Sequence, residues 1–195
     1  MSRVITKANI EYLLNQAKDL TKHTEFVIIG SLSIVGSVAE TPDDMAMSLD
    51  VDLYTLHDPG RIYDAIHALG EESEFRRKHG YYADAVSPKL PTLPDDWEKR
   101  LVPVHFDSGT TGWFLSPNDA AVSKYVRGEE RDRDWIRAGL SQGVFQLATL
   151  EFILRDVSLS SEERIRVNDA LIEDEKWLII QKNSEREPDT DCDFF

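Results

Sequence analysis

Residues 48–54, SLDVDLY, constrain this chain more than any other stretch. Polar and apolar residues alternate there, which is the pattern of a half-buried strand. On a strand, residues two apart share a face, so Asp50 and Asp52 project together while Val51 and Leu53 are free to enter a core. Two carboxylates held this close repel each other unless a proton or a cation compensates. Hard divalent ions such as Mg²⁺ or Mn²⁺ take oxygen ligands of this kind.

Upstream lies FVIIGS, an apolar run that ends in a small, polar turn at Gly30 and Ser31. A glycine lets a phosphate approach the backbone, and a helix beginning at Ser31 offers free N–H groups to an anion. Taken singly, these features are ordinary: many Asp-x-Asp pairs are only a solvated face, and Gly-Ser often precedes a helix. In this order they make a phosphate cradle followed by a metal-binding pair, the arrangement that metal-assisted nucleotidyl transfer needs.

The rest of the chain bounds the reading. Its 195 residues are enough for one domain with a small helical appendage, and a hydrophobic fraction of 41% supports a core. No apolar run approaches membrane-spanning length, and the start, MSRVITKANIEYLL, is amphipathic, so a cytoplasmic protein without membrane partners is expected. The one cysteine, Cys192, excludes internal disulfides and cysteine metal clusters. With 22 basic against 36 acidic residues, the formal net charge is −14. That argues against broad binding to nucleic acid, which depends on neutralising phosphates, but it leaves room for a local basic patch and for a free nucleotide that carries its own metal. The five histidines show no zinc-ligand spacing on one helix face, although His105 and Asp107, two apart on a strand, share a side. No Walker loop, dinucleotide fingerprint or nucleophile elbow occurs.

Periodicity predicts a helix over 6–22, a strand at 25–30, a short helix at 31–38, a polar loop at 39–47 and the Asp-x-Asp strand at 48–55. Asp58 as a cap and Pro59 at the first position predict one helix to about Phe75, closed by RRKHG. YYADAV reads as a strand, and Pro88, Pro91 and Pro94 keep the next stretch irregular. Strands at 101–106 and 111–115 flank a DSGT hairpin turn. Ser116 with Pro117 starts a helix to about Val126, and others follow at 130–140 and 146–156. A capping box at Ser160 and Glu163 opens a last helix ending near Ile180. The expected fold is α+β: an α/β core over 1–115 with a small mixed sheet, a helical half over 116–182 packed on it, and a polar, disordered tail over 183–195.

Gly30–Ser31, a helix and then Asp50-Val51-Asp52 resemble the nucleotidyltransferase fold of the DNA polymerase beta superfamily. The blocks GYYADAVSPKLPTLPDDWEKRLVPV and LSPNDAAVSKYVRGEERD look like a bacterial nucleotidyltransferase-like family that is distantly similar to abortive-infection-type toxins. The resemblance covers residues 24–140. It implies a nucleoside triphosphate substrate, Mg²⁺ or Mn²⁺ on Asp50 and Asp52, and an open acceptor, with RNA or tRNA as the toxin-like option and an antitoxin as a partner. A non-catalytic fold of the same kind, binding a nucleotide or a protein, is the alternative. The superfamily leads one to expect a third carboxylate on a neighbouring strand, for which Asp84 and Asp107 are the choices. Asp107 reads equally well as a turn residue.

Two more residues come from the second block. Lys124 either snorkels to solvent from its helix or, as the resemblance implies, lies near the nucleotide. In both cases it is expected to be solvent-facing and to contribute little to stability. Asp132 either orients Lys124 or a basic neighbour, or belongs to a solvated charge run. Arg127, Arg131 and Arg133 are candidates for a basic patch facing an RNA acceptor.

Overall fold

The computed structural model describes residues 4–184. At its centre, strand β1 (Glu25–Ile28) pairs antiparallel with β2 (Asp50–Thr55), with Ile28 opposite Leu53. On one side, β2 runs parallel to β3 (Tyr82–Ala85); on the other, β1 runs parallel to β5 (Thr111–Phe114). β5 pairs antiparallel with β4 (Val102–His105), giving a mixed sheet in the order β3-β2-β1-β5-β4. Gly109 (φ +76°) makes the expected turn between the last two strands. Helix α1 (Lys7–Thr21) opens with a Thr6–Asn9 capping box and buries Ile10, Leu13, Leu14 and Ala17. Phe26, Ile28, Val51, Leu53 and Phe114 are fully buried. Burying side chains of this size stabilises by about 1.5–3 kcal/mol each.

The architecture is α+β, as expected. Its described residues fall into two compact units, one through Ser158 and one from Leu159. The first holds the sheet together with α1, α2 (Ile34–Ser37), α3 (Tyr63–Leu69), α4 (Glu74–His79), α5 (Pro117–Arg127), α6 (Glu130–Ser141) and α7 (Leu147–Leu154). The second holds α8 (Ser161–Ser184), which opens on the expected box: the Ser160 N–H donates to Glu163 at 2.8 Å and the Glu163 N–H to the Ser160 hydroxyl at 3.2 Å. No helix among the described residues is long and apolar enough to cross a membrane.

The structure corrects several expected boundaries. The helix expected from Pro59 to Phe75 is broken. A 3₁₀ turn at Pro59–Ile62 leads into α3, which stops at Gly70, and Ser73 caps a separate α4 by accepting from the Arg76 N–H. Asp58 does not cap with its side chain; its carbonyl accepts from the Arg61 N–H at 2.9 Å and from the Thr55 hydroxyl. The loop at 39–47 contains a 3₁₀ turn, Asp43–Met45, and buries Met45 and Ala46. The last helix runs on through Ser184, so Asn183 and Ser184, expected in the tail, are helical. The remainder of that tail, 185–195, lies outside the described residues.

At the break Gly70 leaves the helix with ψ −172°, where there is no room for a side chain. A Cβ there would stand 2.6 Å from the Ile66 carbonyl oxygen, which is backbone and cannot yield. Gly70→Ala is therefore expected to destabilise the protein by about 1–3 kcal/mol in denaturant melts, although alanine is the better helix former. A rise in stability would show that α3 and α4 can merge.

Candidate functional site

Backbone pairing alone brings Asp84 to the Asp-x-Asp strand. In the parallel β2–β3 register Asp52 lies opposite Asp84 and Asp50 opposite Tyr82, so all four side chains share one face. Asp50, Asp52 and Asp84 each present an oxygen within 4.8 Å of the others, and no other such acidic or histidine cluster occurs among the described residues. The Ser48 hydroxyl donates to Asp50. Ser48 was not singled out from the sequence, but the same two-residue periodicity puts it on this face.

The turn after β1 meets this cluster. The Ile29 N–H donates to the Asp52 carbonyl at 2.9 Å and carries the β1–β2 ladder one residue beyond β1. Gly30 then turns with φ +68°, a conformation that side chains disfavour. A Cβ at Gly30 would strike the Asp52 carboxylate oxygen, so the backbone and the carboxylate lie against each other. A 3₁₀ turn, Ser31–Ser33, follows and leads into α2, and the Ser33 hydroxyl donates to the Gly30 carbonyl at 2.9 Å.

Lys124 reaches the same turn from α5. Its ammonium donates to the Ser31 hydroxyl at 2.9 Å and to Asp132 Oδ1 at 3.0 Å, and it lies 4.9 Å from the centre of the Trp135 ring. The side chains of Lys124 and Asp132 are only 6% and 1% exposed. Lys124 thus approaches the Gly30–Ser31 turn, and the expectation that it faces solvent is wrong. Asp132 is not part of a solvated run. It is a buried anion that also binds Arg127, through Nε at 2.7 Å and through Nη2. This geometry follows from capping: Asp132 is the third residue of α6, and its carboxylate accepts from the Glu129 N–H that begins the helix. Trp135, one turn further along α6, was not flagged from the sequence; it anchors its own indole N–H on the Met45 carbonyl at 3.1 Å.

The other candidates lie elsewhere. Asp107 is in the β4–β5 hairpin turn, where the Phe106 N–H donates to the Thr110 carbonyl at 2.9 Å, and β4 is the sheet edge opposite β3. It does not join the carboxylate cluster. His105 accompanies Thr111 at 3.1 Å rather than Asp107. Of the arginines suggested as a basic patch, Arg127 is paired with Asp132, and Arg131 donates to Glu129 at 2.8 Å.

The charges set the titration of the cluster. Burial raises the Asp52 carboxyl, Asp50 and Asp84 raise it further, and Arg127 and Lys124 pull it partway back, which leaves it at about 7. Asp84 is also raised, by burial and by the charges of Asp50 and Glu71. Burial lowers the Lys124 ammonium against the opposing pull of Asp132. Burial acts to raise Asp132, but the Arg127 hydrogen bond and the Lys124 charge outweigh it and hold the carboxyl low. Three oxygen donors that repel one another in this way fit a hard divalent cation: Asp50, Asp52 and Asp84 have the right chemistry to hold one.

Over residues 8–184 the chain matches the family described as "Nucleotidyltransferase of unknown function (DUF6036)". It belongs to that family. Neither the curated proteins nor the solved structures gave a match. The chemistry in the family's description, nucleotidyl transfer, is one that an acidic cluster beside a glycine turn suits.

Two outcomes follow from the charges. A carboxyl whose folded pKa is raised to about 7 binds more protons in the folded than in the unfolded state. The resulting penalty is absent below the unfolded value near 4, grows between there and 7, and is complete above. Without divalent ions, Asp52→Asn is thus expected to melt above wild type at pH 8, with the gap closing as pH falls towards 4. Added Mg²⁺ should raise the melting temperature of wild type and not of the variant. A gap that does not change with pH would show that Asp52 carries no such strain. Secondly, Lys124→Ala leaves buried Asp132 with Arg127 as its remaining cation and is expected to cost about 2–4 kcal/mol in equilibrium denaturation. A loss below about 0.5 kcal/mol, typical of surface substitutions, would show that the pair does not support the fold.

Proposed function

We propose that this protein transfers a nucleoside monophosphate from a nucleoside triphosphate to a hydroxyl acceptor, in a metal-dependent reaction of the DNA polymerase beta type. The observation that carries the reading is the gathering of Asp50, Asp52 and Asp84 against the Gly30–Ser31 turn, with the buried Lys124 ammonium on Ser31. Asp50, Asp52 and Asp84 would hold Mg²⁺ or Mn²⁺. When bound, the ion would offset charge developing on the α-phosphate and the leaving pyrophosphate.

The chain's own groups supply the rest. Gly30 has no side chain to keep the Asp52 carboxylate away, so a cation held by Asp52 would lie directly against the turn where phosphate oxygens would bind. Lys124 fixes a positive charge at Ser31, where a polyphosphate would lie, and Asp132 keeps it charged despite burial. Asp84 is the most exposed of the three carboxylates, on the edge strand, and is the one an acceptor hydroxyl can reach from solvent. In this reading the acceptor oxygen bonds to the α-phosphorus, the bond to the bridging oxygen breaks, pyrophosphate departs and the acceptor proton goes to Asp84.

The toxin-like form of this reading places the protein in the cytoplasm, with tRNA as acceptor and an antitoxin as partner; it is supported by the resemblance of the blocks around YYADAV and SPNDAAVSKYV. The alternative, a non-catalytic module for a nucleotide or a protein, draws on one feature: Asp132 already meets both Lys124 and Arg127. Incubation with each α-labelled triphosphate, Mg²⁺ and total RNA or protein should give label on an acceptor. The Asp50→Asn, Asp52→Asn double variant should give none while staying folded. Nucleotide retained by wild type with no label transferred to any acceptor would decide for the non-catalytic module.

A further inference from the structure

We infer that Arg127 grips the polyphosphate of the bound nucleotide, and that Lys124 instead anchors the turn that receives it. This rests on the nucleotidyl-transfer reading and divides the labour between its two cations. Lys124 is almost wholly buried, and two of its three donors are spent, on Ser31 and on Asp132. It ties α5 to the turn and to α6, which is the work of a positioning residue.

Arg127 is different in each respect. It is the last residue of α5, just before Gly128 turns the chain at φ +71°, so its side chain leaves the helix end. That side chain is 44% exposed. Its pairing with Asp132 uses Nε and one N–H of Nη2, with Glu129 Oε1 a further ion-pair partner 3.8 Å from Nε, and leaves three N–H groups over, two of them on Nη1. Asp132, held by Lys124 from the other side, fixes the plane of the guanidinium, so little rotamer freedom remains to be lost on binding an anion. Lys124 bonds both Asp132 and Ser31, so Arg127 stands two hydrogen-bonded residues from the Gly30–Ser31 turn. The guanidinium edge left exposed, held two hydrogen-bonded residues from the turn, suits the oxygens of a polyphosphate, a planar geometry that lysine cannot reproduce.

The test compares Mg²⁺–ATP, ADP and AMP binding by calorimetry at one salt concentration, on the full chain, for wild type, Arg127→Gln and Arg127→Lys, with a melting curve for each. Loss of a charge-assisted contact corresponds to roughly tenfold or more in affinity. Arg127→Gln should lose that much for ATP and ADP while AMP changes little, so the ATP-to-AMP ratio collapses. A residue that only supports Asp132 would weaken all three nucleotides alike, or none. Either of those results overturns the inference while leaving the nucleotidyl-transfer reading intact. If Arg127→Gln does not fold, Arg127→Lys decides. An ammonium lacks the planar guanidinium that pairs Asp132 bidentately while presenting parallel donors to phosphate, so the ratio should still fall, and a ratio at the wild-type value overturns the inference. If wild type binds no nucleotide, the reading beneath it fails and the inference fails with it.

Discussion

Crowding of like charge at one edge of a small sheet is the condition to which the rest of this structure answers. Asp50 and Asp52 are brought to one face by the pleat, and the parallel β3 strand adds Asp84 opposite Asp52. Repulsion and burial together hold Asp52 near neutrality on the pH scale, far from an ordinary carboxylate. A fold that needed only stability would not keep three such groups together, because neutral residues of similar size would pack there without this cost. The arrangement makes sense when a cation is drawn in to compensate, and membership of a nucleotidyltransferase family agrees with it.

A second charged cluster, of opposite purpose, stands behind the first. Asp132 is buried, but it is satisfied by Lys124, by Arg127 and by the first N–H of its own helix region. One anion thereby holds two cations at fixed places and ties α5 and α6 to the turn after β1. The positive charge is preorganised, so it need not be reoriented when an anionic ligand arrives. The same network buries the lysine, contrary to what its sequence context suggested.

Local rules account for much of what was legible in advance. The Asp-x-Asp alternation, the Ser116 and Ser160 caps and the hairpin at Gly109 depend on neighbours within a few residues, and each element formed where expected. The failures share a cause. The helix through Gly70 was broken where Gly70 turns to an extended ψ of −172° and Ser73 caps a second helix, a competition that periodicity does not reveal. The loop at 39–47 looked polar, yet Met45 and Ala46 are buried and the Met45 carbonyl receives Trp135 from α6.

The sequence by itself determined that Asp50 and Asp52 share a face, that Gly30 and Ser31 form the turn before them, and that strands come early and helices late. These follow from backbone geometry and from side-chain chemistry over short range. Only the tertiary structure showed that Asp84 and not Asp107 joins Asp50 and Asp52, because Asp84 lies on a strand and Asp107 just after one, and the choice depends on which strand lies beside β2. It also decided that Lys124 is buried on Ser31 and that Asp132 and Arg127 are its companions. Those contacts join positions up to 93 residues apart in the chain, and burial, which sets their charge state, is a property of the packed molecule and not of any segment of it.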